Sequence, residues 1–216
     1  PEGEILVSGG YGRNQLYKFG IDGGDASTTW TELAYPVFNL AFDLVGNLWA
    51  TTGGGPLLQL DPESGAIVNE FGDGLTMGLA VHPETGRLYI GSGSGVETFD
   101  PATLEFAHFS RDLDLRISSL AFEADGTLWA TTWPDRRQLV RFTERARAET
   151  VVTFKTDIDS IAFGQVGTIL EGLLFVTHNH GMGQQGSELT VVDMATLRCA
   201  PVAVGGTRGD VVITTS

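Results

Sequence analysis

The sequence predicts an all-β fold, a β-propeller of five four-stranded blades, and three observations predict it. One phrase is written twice: Gly46-Asn47-Leu48-Trp49-Ala50-Thr51-Thr52 and Gly126-Thr127-Leu128-Trp129-Ala130-Thr131-Thr132 lie 80 residues apart and differ at one position. Weaker copies keep its register around Leu6, Tyr89 and Phe175, so the large residue recurs every 40 to 46 positions. The third observation is composition: 29 glycines and many short β-rich runs, with no segment holding a helical period. Self-similarity at this period is the signature of propeller blades, and the missing helical period excludes helical and leucine-rich solenoids.

Each repeated element has a physical reading. The strand before the phrase is short and apolar at successive positions: Leu40-Ala41-Phe42, Leu79-Ala80-Val81, Leu120-Ala121-Phe122 and Ile161-Ala162-Phe163. Such a run suits an innermost strand crowded on both faces. The phrase itself is the second strand, and Trp49, Tyr89, Trp129 and Phe175 are expected to pack between blades. A third strand follows and ends in a turn, as in Leu58-Gln59-Leu60-Asp61-Pro62 and Glu97-Thr98-Phe99-Asp100-Pro101, where Asp bonds its own backbone and Pro fixes φ. A more polar fourth strand closes each blade: Ile67 to Phe71, Glu105 to Ser110, Glu149 to Phe154 and Cys199 to Val204.

The blades fall at residues 3–33 with 210–214, 38–72, 77–110, 118–154 and 159–205. The first lacks an innermost strand, and Asp210-Val211-Val212-Ile213-Thr214 supplies that pattern at the other end of the chain. The offset predicts a ring closed by the C-terminal strand joining the N-terminal blade, which removes an exposed edge. The rival is a fragment of a larger ring. Residues 1–216 are thus expected to be one propeller domain, and the start at Pro1 suggests one excised from a longer protein.

The charge balance narrows the partners. Net charge is −14, and the 13 basic residues include two lysines, Lys18 and Lys155. This surface repels phosphate backbones and anionic lipid, so neither nucleic-acid binding nor membrane insertion is expected. Cys199, the one cysteine, excludes an internal disulfide framework and a cysteine-based zinc site. The acidity suits a soluble extracellular or cell-surface setting.

The phrases "LAFDLVGNLWATT" and "LAFEADGTLWATT" resemble repeats of the NHL and streptogramin-lyase type, within a superfamily that includes the YVTN and SMP-30/gluconolactonase propellers. The stretch from Glu188 to Gly206 is similar to a YVTN repeat. The resemblance implies the propeller fold, whereas its functions range over enzymes, binding modules and scaffolds. The metal-binding Glu/Asn/Asp set of the SMP-30 hydrolases and the His/Glu/His set of the streptogramin lyases have no matching positions.

Candidate sites lie at one end of the blades, in the loops after second strands. These are Gly9 to Gln15, Gly53 to Pro56, Gly91 to Gly95, Trp133 to Gln138 and His178 to Glu188, joined by the positions before innermost strands, Asn39, Gly78, Ser119, Ser160 and Asp210. The last loop carries His178-Asn179-His180 and Gln184, and it is expected to account for the longer spacing of the fifth blade. His178 and His180 would project from one side of an extended segment as two ligands for a divalent metal, calcium or zinc, with Asp157, Asp159 or Asp210 as a third. The opposing reading is a polar loop whose histidines bond nearby carbonyls. Trp133, Asp135 and Arg136 can stack on a sugar face and bind its hydroxyls, or anchor a protein; the alternative is a rigid turn with Trp133 covering the blade. Arg13 and Asn14, beside Tyr11, form a similar cluster. Asp-Gly pairs at Asp22, Asp73 and Asp125 fit no calcium-loop spacing and read as turns.

No phosphate loop, nucleophile elbow or Cys/His nucleophile appears. The function expected is a non-catalytic binding or interaction module of a larger bacterial protein, monomeric within its chain, with a glycan or protein ligand on the loop face and no organic cofactor. The alternatives are a metal-dependent hydrolase or lyase acting at the central channel mouth through His178 and His180, and a purely structural propeller.

Overall fold

In the computed structural model the described residues are 4–8, 13–20, 29–93, 95–110, 117–132, 137–143, 146–179 and 187–204. They form antiparallel strands in five sheets. The first sheet holds β1 (Glu4–Ser8), β2 (Gln15–Gly20) and β3 (Thr29–Glu32); the second holds β4 (Asn39–Phe42), β5 (Leu48–Thr51), β6 (Leu57–Leu60) and β7 (Ile67–Phe71). The third holds β8 (Leu79–Val81), β9 (Leu88–Ser92), β10 (Gly95–Asp100) and β11 (Glu105–Ser110). The fourth holds β12 (Ile117–Phe122), β13 (Leu128–Thr132), β14 (Gln138–Phe142) and β15 (Ala148–Thr153). The fifth holds β16 (Asp157–Phe163), β17 (Leu173–Asn179), β18 (Ser187–Asp193) and β19 (Arg198–Val204). Strands pair in chain order within every sheet, as a blade requires. The segment 210–214 expected beside β1 lies outside the described residues.

The chain clusters into two compact units, residues 1–93 with 97–107 and residues 94–96 with 108–215. In the first unit, Leu16, Val37, Leu48, Leu58 and Leu60 form a core between the first and second sheets. Trp49, Leu57, Leu79, Leu88, Ile90 and Phe99 form another between the second and third. Here the rings of Trp49, Phe71 and Phe99 lie with centroids 4.8 to 5.9 Å apart, close enough for aromatic attraction beyond simple area burial. In the second unit, Trp129 packs with Leu139, Ile158, Ile161, Leu174, Val176 and Val192. Trp49 and Trp129 are 1% and 4% exposed, as inter-blade residues should be, while Tyr89 and Phe175 at the same register are half-buried.

In the second to fifth sheets the residue after the innermost strand opens the following turn, and it is acidic in the second and fourth. Asp43 accepts backbone N–H groups from Val45 and Asn47 and the Trp49 indole N–H, while Glu123 accepts the Trp129 indole N–H. His82 does comparable work in the third sheet, its Nδ1 accepting from the backbone of Glu84 and Thr85. In the fifth sheet the position is Gly164, because a Cβ there would lie 1.9 Å from the Leu170 carbonyl oxygen. That carbonyl belongs to a longer turn, 164–172, between β16 and β17. This corrects the explanation of the fifth repeat's spacing. The extra residues precede Phe175, in this turn, and the loop beginning at His178 follows it.

Candidate functional site

At one end of every sheet the second strand finishes and the third begins. The geometry there starts with the first sheet. Arg13 and Asn14 lead into β2, and Gln15 pairs with Glu32 at the end of β3. The Asn14 carbonyl accepts the Leu33 N–H at 2.9 Å, which fixes this corner. Arg13, Asn14, Gln15 and Glu32 line a shallow depression of about 410 Å³. Its walls carry a guanidinium, two carboxamides and a carboxylate. None of these four side chains makes a hydrogen bond or ion pair with another described residue, whereas Arg87, Arg137 and Arg141 are each tied to a carboxylate.

In the second sheet the same end is closed by hydroxyls. The Thr52 hydroxyl donates to the Pro56 carbonyl at 2.9 Å and the Thr76 hydroxyl to Gly55 at 3.0 Å, while the Thr51 hydroxyl donates to the Met77 carbonyl. Gly53, with φ of 75°, passes under Phe38 so closely that a Cβ would meet its ring at 2.2 Å. Asn39 is a structural tie here, donating its side-chain amide to the Met77 carbonyl at 3.3 Å.

In the fourth sheet Trp133, Asp135 and Arg136 lie outside the described residues. Their neighbour Arg137 is a clamp: its Nε donates to Asp157 Oδ1 and its guanidinium to the Lys155 carbonyl, both at 2.7 Å. Asp157, considered above as a metal ligand, is therefore engaged by a cation.

The fifth sheet brings together residues that the sequence did not connect. His178 ends up 3% exposed, its Nδ1 2.9 Å from Thr156 Oγ1 and its Nε2 3.0 Å from Thr190 Oγ1. Phe154 packs edge-on against the imidazole, with centroids 5.0 Å apart. A metal at His178 would have to displace one of these hydroxyls. Asn179 continues β17, while His180 and Gln184 lie outside the described residues. Among the described residues no three His, Cys, Asp or Glu side chains cluster to hold a metal ion.

Three placements differ from expectation. Asn39 opens β4, and Ser119 and Ser160 lie inside β12 and β16 rather than ahead of them. The Ser119 hydroxyl accepts the Ile161 N–H at 3.2 Å and faces Ser160 Oγ at 3.5 Å, so both tie neighbouring strands together. The pairing register also shifts between Ile117 and Ser119 and between Ile158 and Ser160. A bulge thus falls on Ser118 and on Asp159, the kind of irregularity that re-aims one side chain at a strand end. The visible signal was the shared pattern Ile117-Ser118-Ser119-Leu120-Ala121-Phe122 and Ile158-Asp159-Ser160-Ile161-Ala162-Phe163.

No protein-family model matches the sequence, and no curated protein matches it. Solved structures do. A chain of the nidogen–laminin complex superposes with a TM-score of 0.69 at 12% identity, covering 95% of this chain and 81% of that one. The fold is a β-propeller. A gluconolactonase from Xanthomonas campestris gives a TM-score of 0.64 at 16% identity over 82% of this propeller and 66% of that chain. A streptogramin B lyase gives 0.62 at 15% identity over 93% of this propeller and 65% of its own length. The propeller thus spans a little under two thirds of the lyase and the lactonase, and such identities carry the fold alone. Its neighbours include a lyase and a gluconolactonase as well as a chain of the nidogen–laminin complex. Among the described residues no helix is long and apolar enough to cross a membrane.

Proposed function

We propose that this propeller is a non-catalytic binding module of a larger bacterial extracellular or surface protein, and that it holds a glycan at the loop end of its sheets. The observation that carries the reading is the set of four unengaged polar side chains, Arg13, Asn14, Gln15 and Glu32, around one depression. A sugar hydroxyl both donates and accepts. Adjacent hydroxyls therefore match a carboxylate acceptor beside guanidinium and carboxamide donors. The surface is acidic overall, so the Arg13 guanidinium supplies a local positive charge to which an acceptor-rich ligand is drawn. A protein ligand is the other occupant that this chemistry admits.

The metal-dependent hydrolase or lyase reading needs imidazole nitrogens free to ligate. Those of His178 face Thr156 and Thr190 instead, which favours the binding module.

A glycan array followed by calorimetric titration tests the proposal. The wild-type propeller is expected to retain one class of hydroxyl-rich saccharide, and Arg13→Ala with Asn14→Ala to weaken it by about tenfold or more, the loss of one or two charge-assisted hydrogen bonds. Saccharide binding that survives the double substitution would move the site elsewhere. Absence of binding across the array would overturn the glycan assignment.

A further inference from the structure

The chain through His178 extends beyond its two hydroxyl partners. The Thr190 hydroxyl also donates to Glu188 Oε1, at 3.4 Å. Thr156 precedes β16, His178 lies near the end of β17, and both Thr190 and Glu188 belong to β18, so four residues from three segments form one line. Proton counting orders it. A carboxylate only accepts, and a hydroxyl has a single proton, which Thr190 gives to Glu188. Thr190 must then accept from His178, so Nε2 carries the ring proton. In a neutral ring Nδ1 is left as an acceptor, and the Thr156 hydroxyl supplies it.

We infer that His178 is a positioning residue: a neutral imidazole in the Nε2–H form that ties the 154–156 linker to β17 and β18 and fixes the base of their hairpin. The inference rests on reading this end of the sheets as the recognition face, since the β17–β18 connection emerges there. Burial supports it, because a 3%-exposed ring whose nitrogens both have partners is fixed in place. Register supports it too. His178 pairs with Ile158 on one side and Glu188 on the other, so its backbone is held between two strands, and turning the ring outward would give up the Thr156 and Thr190 hydroxyls. The role departs from the metal-ligand expectation because the ring lone pair is already occupied by Thr156.

Long-range ¹H–¹⁵N spectra of the labelled wild-type protein at neutral pH test this directly. His178 is expected as a single Nε2–H tautomer, with both ring nitrogens unmoved by added zinc chloride. Thr190→Val, which keeps shape and removes the hydroxyl, is expected to mix the tautomers and speed proteolysis between β17 and β18 about tenfold, as loss of a buried hydrogen bond implies. An Nδ1–H tautomer, or zinc-induced shifts of the ring, would overturn the inference. Loss of saccharide binding in Arg13→Ala with Asn14→Ala, alongside an unchanged His178 tautomer, separates the two claims: the spectra judge the positioning role and the titration judges the recognition face.

Discussion

The second and fourth sheets contain nearly the same seven residues and support the tryptophan differently. In the second sheet one buried side chain, Asp43, meets four donors: the Trp49 indole at 2.9 Å, the Asn47 amide side chain at 2.8 Å, and the backbone of Asn47 and Val45 at 2.9 and 3.0 Å. In the fourth the work is divided. Glu123 reaches the Trp129 indole at 2.9 Å, and Asp125 caps the turn by accepting the Thr127 N–H at 2.8 Å. An extra methylene lets Glu123 reach the indole, but its carboxylate then no longer caps the turn. Across these two repeats the task is kept, a proton acceptor for a buried indole, while the residue that performs it varies with the turn.

The largest expected effect is on the indoles themselves. Trp49→Ala should cost about 3–5 kcal/mol, because it opens a cavity among Phe71, Phe99 and Leu88, and Trp129→Ala should fall at the lower end of that range. Chemical denaturation measures both. Equal, small losses of under about 1 kcal/mol would mean that neither ring fills an inter-blade core.

Removing the acceptor sharpens the contrast. Asp43→Ala leaves a buried indole N–H unpaired and strips the turn of its cap, so about 2–4 kcal/mol is expected. Glu123→Ala leaves Asp125 in place and should cost about 1–2 kcal/mol. Asp43 also has a signature in acid. Burial pushes the Asp43 carboxyl up, but hydrogen bonds from Trp49, Asn47 and Val45 outweigh it and hold the group below the usual carboxylate range. A carboxyl depressed in the folded state contributes stability above its unfolded value, and that contribution is lost as pH falls through the folded one. Stability should therefore decline in acid more steeply for wild type than for Asp43→Asn. Parallel acid profiles would place the dependence on other groups.

These contrasts mark what could be read from the chain alone. The β class and the strand order were legible because second strands such as Leu48-Trp49-Ala50 write their burial directly as apolar side chains, at a recurring spacing. The partners of polar groups were not. Asp43 finds Trp49 only through the shape of a turn. His178 finds Thr156 and Thr190 only through the register of three segments, information that no local pattern carries. The His-x-His spacing looked like metal chemistry because sequence shows the imidazole without showing what already occupies its nitrogens. Arg13 and Asn14 were legible as polar loop residues, whereas Gln15 and Glu32 joined them only once β2 paired with β3.

The hairpins between third and fourth strands extend the contrast to four sheets and include the smallest expected effect, at Leu104. Each places one residue in the left-handed region: Gly65 with φ of 72°, Leu104 with 61°, Ala146 with 55° and Leu197 with 55°. Only the second sheet uses glycine. The reason is a neighbour, since a Cβ on Gly65 would lie 2.6 Å from Thr31 Cγ2 and 3.1 Å from the Trp30 ring. Gly65→Ala therefore adds left-handed strain of about 1–2 kcal/mol and a contact that Thr31 or Trp30 must yield to, and it should destabilise by about 2 kcal/mol. At Leu104 the same strain is already present in the native protein. Leu104→Gly removes about 1–2 kcal/mol of strain and returns about 0.5–1 kcal/mol to the unfolded chain as glycine entropy. The net expectation is a gain of about 0.5 kcal/mol, read as a small rise in denaturation midpoint. If Gly65→Ala proved as mild as its counterparts, Trp30 would yield freely, and conformational freedom alone would account for the glycine. If Leu104→Gly destabilised instead, the partly exposed leucine would be contributing contacts with Phe106 and its neighbours that outweigh its strain.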